Sequence, residues 1–369
     1  MFDIHFFRSC MDLKKKIVDG TVNLTAEEIY AEIEKLRSKK PHVFNIETTN
    51  NCNMTCKMCP RTTLMTRPIK TMSMELFTKI VKQLVPHRQE ELNEFWDFVV
   101  KEYGIKPEHR DENSFYFYRI SNHVILHGYG EPLVDPMIVE RVQTCSDHGI
   151  PTYFSCVADN INIEKFKQLF KAGAGVIKFS MDALDDDKAK SIRGKRASFA
   201  RAYEKINEVL KIKASDPSIK TTITLTMIAM SNSEEDRKMH NDFMELWKDQ
   251  PVFSYIKSQD NRWYMEEDES LECKNHYEKQ YCEYPFTSMT VMADGSVVPC
   301  TQDYDCEMKF GNANDQTLEE IWNSKGYADF RMGHITGNFT TNVKCVDRCD
   351  QKLVCDRLRQ VKEKVAVIG

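Results

Sequence analysis

The stretch NNCNMTCKMCPR, Asn50–Arg61, places Cys52, Cys56 and Cys59 on one short loop. A structural zinc site closes with four ligands. No histidine adjoins this loop, and the nearest, His42, lies before a strand-like segment. Simple burial of thiols needs no such spacing. Three thiolates on one loop match a 4Fe-4S cluster in which one iron stays open to bind something else.

The segments around this loop alternate between two periods. HVFNIETT (42–49) reads as a strand leading into the loop, and the amphipathic helix SMELFTKIVKQL (73–84) follows it. The pattern repeats with the strand HVILHG (123–128) and the helix DPMIVERVQTCSDHG, which ends on a glycine suited to a C-cap. PTYFSCV, VIKFSMDA and TTITLTMIAM are further strands, each followed by a helical run, and FSYIKSQ (253–259) closes the series. Six strands alternating with helices imply a parallel sheet with right-handed crossovers. About 220 residues are short for eight such units. The fold class expected is therefore α/β, a partial (β/α)6 TIM-like barrel over 42–265, with a small C-terminal Cys-rich α+β auxiliary-cluster domain over 266–369. Residues 1–41 read as a helical N-terminal extension. Residues 86–122 form a long aromatic-rich insertion of the kind that serves as a lid or binding element.

Composition narrows the function classes. A net charge of −5 gives no general reason to expect a nucleic-acid or anionic-membrane partner. No stretch approaches the roughly 20 apolar residues that span a bilayer. The opening MFDIHFFRSCMDLKKK does not read as a signal peptide, so a cytoplasmic location is expected. In that compartment the 13 cysteines read as metal ligands or buried thiols before disulfides. Three lie in the first loop and seven follow residue 270, namely Cys273, Cys282, Cys300, Cys306, Cys345, Cys349 and Cys355. That distribution suggests an early metal site, a scaffold and a second metal-rich module.

Cys52-x3-Cys56-x2-Cys59 after a first barrel strand resembles the signature of the radical S-adenosylmethionine (SAM) superfamily. The resemblance implies a 4Fe-4S cluster whose free iron chelates SAM and whose electron cleaves it to a 5′-deoxyadenosyl radical, which abstracts hydrogen from a substrate. It also implies cofactor-binding roles. Met58 would touch the adenine. Gly130 and Glu131 of HGYGEPLVDP would bind the SAM amino group, the glycine allowing a close approach of backbone to ligand. Ser180 of FSMDA and Arg193 of IRG would contact ribose and carboxylate, with Asn232 as a further contact. Relatives often read Thr-Asn-Gly after the third strand, where this chain has Ser155-Cys156-Val157. Asp182 is a candidate base, or alternatively a cap on the next helix. Lys257, Trp263 and Tyr129 are candidate pocket residues.

The C-terminal part resembles the SPASM/twitch extensions of that superfamily. MADGSVVPC (292–300) reads as a hairpin whose Asp-Gly turn presents Cys300, and FGNANDQTLEEIWNS matches a Gly-Asn followed by a helix ending in Ile-Trp. Seven cysteines fall short of the eight a two-cluster set needs. The resemblance therefore implies one auxiliary 4Fe-4S cluster drawn from Cys282, Cys300, Cys345, Cys349 and Cys355, preferably through Cys345 and Cys349. A second, incomplete cluster that includes Cys273 and Cys306, and a zinc site, are the alternatives.

Two functions follow. One is an oxidoreductase acting on a small polar substrate (a sugar, aminocyclitol or amino acid derivative) by oxidation or epimerisation. The other is a peptide- or protein-modifying maturase forming a thioether, a carbon–carbon crosslink or a sulfatase-type oxidation. The 41 residues before the barrel are too few for a winged-helix leader-binding domain, which favours the first. Either would draw electrons from a donor such as flavodoxin or ferredoxin. A non-catalytic iron–sulfur carrier would explain the cysteines but not the SAM-type residues.

Overall fold

Six parallel strands carry the scaffold: β1 (Val43–Ile46), β2 (Val124–Ile125), β3 (Thr152–Cys156), β4 (Val176–Ser180), β5 (Thr222–Ala229) and β6 (Phe253–Ser258). The computed structural model describes residues 1–258 and 282–336, together with Asn338 and Cys345. Helices such as Met74–Val81, Ile138–Asp147, Ile163–Lys171, Phe199–Ser215 and Glu234–Trp247 cross between the strands. Their start signals are local, since Ser73, Asn162, Ser198 and Ser233 each accept a backbone N–H in the first turn. Gly149 and Gly173 follow helix ends with φ of +68° and +82°.

The sheet does not stop at six strands. β7 (Met289–Val291) pairs in parallel with β1, and β8 (Ser296–Val298) and β9 (Gly311–Asn312) extend it antiparallel, in the order β6-β5-β4-β3-β2-β1-β7-β8-β9. The cysteine-rich module thus continues the barrel's own sheet, along the edge that a closed barrel would join to its last strand. Gly295, at φ +88°, makes the expected Asp-Gly turn between β7 and β8. The short helix Leu318–Trp322 follows, with a Thr317/Glu320 capping box.

Strand alternation separates two environments. Ile177, Phe179, Ile223, Leu225 and Met227 pack under the outer helices against Phe166, Ile206 and Trp247. Their neighbours in sequence, Lys178, Ser180, Thr222, Thr224 and Thr226, face the other way, into the barrel. Register aligns Ser155 with Lys178 and Thr224, and Ser180 with Thr226. Parallel strands buried on both faces normally read as unbroken apolar runs. Here the inner face is polar in its upper layers, so the barrel holds a polar interior.

The lower layers are closed by the insertion and the N-terminal extension. Helix Gln89–Tyr103 and the π-helical turn Phe115–Arg119 join Phe2, Phe7, Phe44, Ile125, Tyr153, Phe253 and Tyr255 in one aromatic cluster. Phe115 packs edge-on to Tyr153 and at 5.3 Å from Tyr255. Phe253 and Tyr153 lie toward strand N-termini, so the insertion plugs the mouth opposite the cysteine loop. Its aromatic side chains pack in that cluster, while Glu112 reaches Lys257 at 3.5 Å. Phe2, Phe95 and Phe117 are fully buried, and exposing each would cost roughly 1.5–3 kcal/mol. The extension forms helices Ile4–Val18 and Ala26–Leu36. It also reaches the C-terminal module, where Trp322 Nε1 donates to Ser38 O at 2.8 Å and Lys14 pairs with buried Glu283.

Candidate active site

The cysteine loop lies across the C-terminal ends of β1–β4 and is tied to each neighbour by hydrogen bonds. Glu131 N, after β2, donates to Asn51 O at 2.8 Å. Asn53 and Asn160, after β3, exchange side-chain hydrogen bonds of 2.7 and 3.0 Å. Thr55 N and Lys57 N donate to Arg193 O and Ile192 O, beyond β4, at 3.2 and 2.9 Å. Two glycines make these approaches feasible. A Cβ on Gly130 would stand 2.1 Å from Thr49 O, and one on Gly194, which has φ +93°, 2.0 Å from Thr55 Oγ1. Gly130 is therefore required by the chain's own backbone, a reason different from the ligand contact expected above.

Cys52, Cys56 and Cys59 are half-buried and no disulfide links them. Burial pushes all three thiols up, Cys59 to about 11. A bound cation reverses that balance and holds thiolates. Three thiolates leave a closed structural zinc site one ligand short and suit a 4Fe-4S cluster with one iron open. Met54 packs behind Cys52 and Cys56 with Val157 and Ala183, while Met58 is half-buried beside Cys59.

Arg193 reaches Cys56 Sγ with Nη1 at 3.8 Å and pairs through Nη2 with Asp182. Burial works against its charge, but Asp182 and Cys56 more than offset this and hold its pKa above the ordinary value. Its Nε is buried without a partner, a donor suited to a carboxylate arriving at the cluster. Asp182 also accepts Ile228 N–H at 3.0 Å. Both oxygens of this buried carboxylate are thus engaged, one by Arg193 and one by the Ile228 N–H. Its reading as a helix cap falls, because the cap is Asp185. Glu131 spends both carboxylate oxygens on Leu133 N and Val157 N, at 3.0 and 2.9 Å. Burial still raises its pKa to about 7. Ser180 Oγ lies 3.2 Å from Ser155 Oγ. Asn232 stands exposed in the loop after β5 and is not drawn into this cluster of contacts.

A cavity of about 270 Å³ opens between the barrel strands β1 and β2 and the C-terminal module. Asn45, His127, Tyr129, Lys257, Thr301 and Gln302 supply its polar wall. His127 was not singled out by sequence reasoning. Its Nδ1 accepts Ser155 N–H at 3.0 Å, which leaves the proton on Nε2. Burial and, less strongly, Lys178 push its pKa down to about 3, so it is neutral near pH 7. Gln302 Oε1 is buried without a partner. Tyr129 donates to Thr301 O at 2.7 Å, closing the seam between the two halves. The seam is reinforced by Arg67, which forks onto both oxygens of fully buried Glu47 at 2.9 Å, while Glu47 also accepts Ala293 N–H.

In the C-terminal module Cys282 and Cys345 are buried and Cys300 is half-buried. Cys282 and Cys300 both lie near enough to Tyr327 to act on its phenol. Cys345 packs with Tyr304, Met308 and Phe330. Cys306 takes a left-handed φ of 59°, and burial pushes its thiol up to about 12. Cys273, Cys349, Cys355 and Trp263 lie outside the described residues.

Comparison with known proteins accounts for both halves. Residues 101–243 match the radical SAM superfamily, and residues 282–351 match SPASM, an iron–sulfur cluster-binding domain. The chain belongs to the radical SAM superfamily and carries a SPASM domain; it is an enzyme whose cofactors are a 4Fe-4S cluster with SAM and auxiliary iron–sulfur clusters. The first match begins after the cysteine loop. A Pyrococcus furiosus protein, the tungsten-containing aldehyde ferredoxin oxidoreductase cofactor-modifying protein, is 25% identical over 267 residues, covering 62% of this chain and 74% of its own. Among solved structures, anSMEcpe with bound S-adenosylmethionine aligns at TM-score 0.55 and 16% identity, over 88% of this chain and 92% of its own. Streptococcus suis SuiB bound to its precursor peptide SuiA aligns at 0.53 and 14%, over 97% and 86%. These structures share the fold. Among the described residues no helix is long and apolar enough to cross a membrane.

Proposed function

We propose that the chain is a radical SAM oxidoreductase acting on a small polar molecule, with oxidation or epimerisation as the outcome. The observation that carries this reading is the cavity between barrel and module, about 270 Å³ in volume, with Asn45, His127, Lys257 and Gln302 on its wall. That volume suits a molecule the size of a sugar, aminocyclitol or amino acid derivative. The Pyrococcus relative's name, a cofactor-modifying protein, also points to a small molecule in preference to a peptide.

Cys52, Cys56 and Cys59 would hold the radical cluster, and Cys282, Cys300 and Cys345, with Cys349 or Cys355, an auxiliary one. When bound, the cluster and SAM supply reductive cleavage of SAM and hydrogen abstraction from the substrate. The chain's own residues place the reactants. Arg193, steadied by Asp182, offers its Nε to the SAM carboxylate. Met58 would lie at the adenine, the Gly130–Glu131 segment at the amino group, and Ser180 at the ribose, with Asn232 the least supported contact. The Nε2–H of His127 and the orphan Oε1 of Gln302 present one donor and one acceptor to the substrate. Electrons would come from an external carrier such as flavodoxin or ferredoxin.

The test is anaerobic reconstitution with iron and sulfide counting, in the intact protein and in Cys52/Cys56/Cys59→Ala, followed by SAM and dithionite. About eight irons falling to about four are expected, with 5′-deoxyadenosine formed by the intact protein alone. Deoxyadenosine formation by the triple variant would sink the assignment. Abstraction from a peptide, with no turnover in a panel of polyols and amino acid derivatives, would move the substrate to the maturase class.

A further inference from the structure

Away from the cysteine sites, on the plugged side of the barrel, three ligand-bearing side chains converge from separate segments. His5 stands in the first turn of helix Ile4–Val18, His87 in the loop before helix Gln89–Tyr103, and Glu91 in the first turn of that helix. Each offers a ligand atom within 4.8 Å of the other two, the one such group of three among the described residues. We propose that His5, His87 and Glu91 bind a divalent transition-metal ion of the zinc type, fastening the N-terminal helix to the insertion that plugs the barrel.

The donor set suits that ion. Two imidazoles and a carboxylate are borderline ligands preferred by Zn²⁺, Co²⁺ and Ni²⁺ over Mg²⁺ or Ca²⁺. Three protein ligands leave the remaining position to water. His87 is prepared for the role. Its Nε2 lies 2.8 Å from Phe2 O, and a carbonyl can only accept, so the proton sits on Nε2 and the lone pair on Nδ1. Donation of the second ring nitrogen to a backbone carbonyl is the usual outer support of a metal-binding histidine. Asn122 Oδ1 accepts the His87 backbone N–H at 2.8 Å and fixes the loop. Glu91 accepts Arg88 N–H with Oε2 at 2.8 Å, while Oε1 faces His5 Nε2 at 3.5 Å. The charged neighbour on Oε1 is the Arg88 guanidinium, whose side chain is 76% exposed. An exposed pair of that kind is weak, and a dication would displace it. The His42 ring, with its centroid 4.8 Å from that of His87, lines the inner side.

Zn²⁺ titrated into the full chain, with its cysteine sites loaded by anaerobic reconstitution, tests this by calorimetry and by metal analysis after desalting. The wild type and a control, His148→Ala, are expected to bind one equivalent and to gain thermal stability with added Zn²⁺. His5→Ala removes a half-exposed side chain and leaves the core intact. It should weaken binding by more than the roughly tenfold that loss of an outer-shell partner costs, and abolish the stabilisation. Glu91→Gln, which keeps an acceptor for Arg88 N–H, should do the same. Absence of a binding event in the wild type, or identical titrations for wild type and His5→Ala, would overturn the proposal.

Discussion

Asp182→Asn separates two roles that a carboxylate can play beside a radical site. The side chain meets Arg193 Nη2 on one oxygen and Ile228 N–H on the other. Asparagine retains a carbonyl oxygen for Ile228, so the β4–β5 junction survives. Arg193 loses its charged partner and, with it, the orientation that aims Nε at the cluster. Hydrogen bonds to charged groups contribute about 1.5–3 kcal/mol, which corresponds to roughly ten- to a hundredfold in affinity. The SAM dissociation constant should rise by that factor, while turnover at saturating SAM changes little. A general base would behave in the opposite way, costing roughly 10²–10⁴ in turnover with SAM binding unchanged. Equilibrium dialysis with labelled SAM measures the first quantity, and product formation from a turned-over member of the substrate panel under dithionite measures the second. Unchanged SAM affinity together with collapsed turnover would refute the positioning role and support Asp182 as the base.

Gly130→Ala would drive a methyl group into Thr49 O, 2.1 Å away, where only backbone can yield. Overpacking costs about 1–3 kcal/mol, so a lowered melting temperature and reduced iron uptake are expected; wild-type melting would show that the loop has slack. Arg141→Met strands the fully buried carboxylate of Asp135, which Arg141 Nε holds at 2.8 Å. A destabilisation of about 3–5 kcal/mol is expected, read from denaturant midpoints and largely recovered in Arg141→Met/Asp135→Asn. Burial pushes His123 down to about 3 from an ordinary 6.5, so the unfolded chain binds the extra proton between those values. Stability contributed by His123 is complete above pH 6.5 and falls by about 1.4 kcal/mol per unit below it. His123→Asn should flatten the melting-temperature slope between pH 6.5 and 5, and an unchanged slope would show that other groups dominate.

The cysteine loop, the six strands and the glycine motif are legible because each is a local pattern: a thiol spacing, a period of two, a turn residue. The polar barrel interior is legible too, in the alternation of Thr222, Thr224 and Thr226 with Ile223, Leu225 and Met227. What escapes a linear reading is pairing between distant segments. β7 and β9 are three and two residues long and carry no periodic signal, so nothing local says that they continue the sheet of β1. Asp182 looks equally like a base or a cap until Arg193 is seen folded back onto it. His127 is an ordinary strand-end histidine until Ser155 N–H fixes its tautomer. The aromatic insertion resembles a binding element in composition, and only its packing against Phe253 and Tyr255 shows it to be a plug.

The parallel pairing of β1 with β7 has a consequence for how the chain is made. Val43 finds its partner Met289 only after about 245 further residues have been synthesised. At 5–20 residues per second that is a wait of roughly 10–50 s. Through it β1 presents an open, unpatrolled edge, the feature that templates aggregation. A fragment ending at residue 258 would keep that edge permanently. Expression trials that trim the cysteine-rich module to obtain a simpler enzyme should therefore yield inclusion bodies, whereas chaperone co-expression with the full chain should raise the soluble yield.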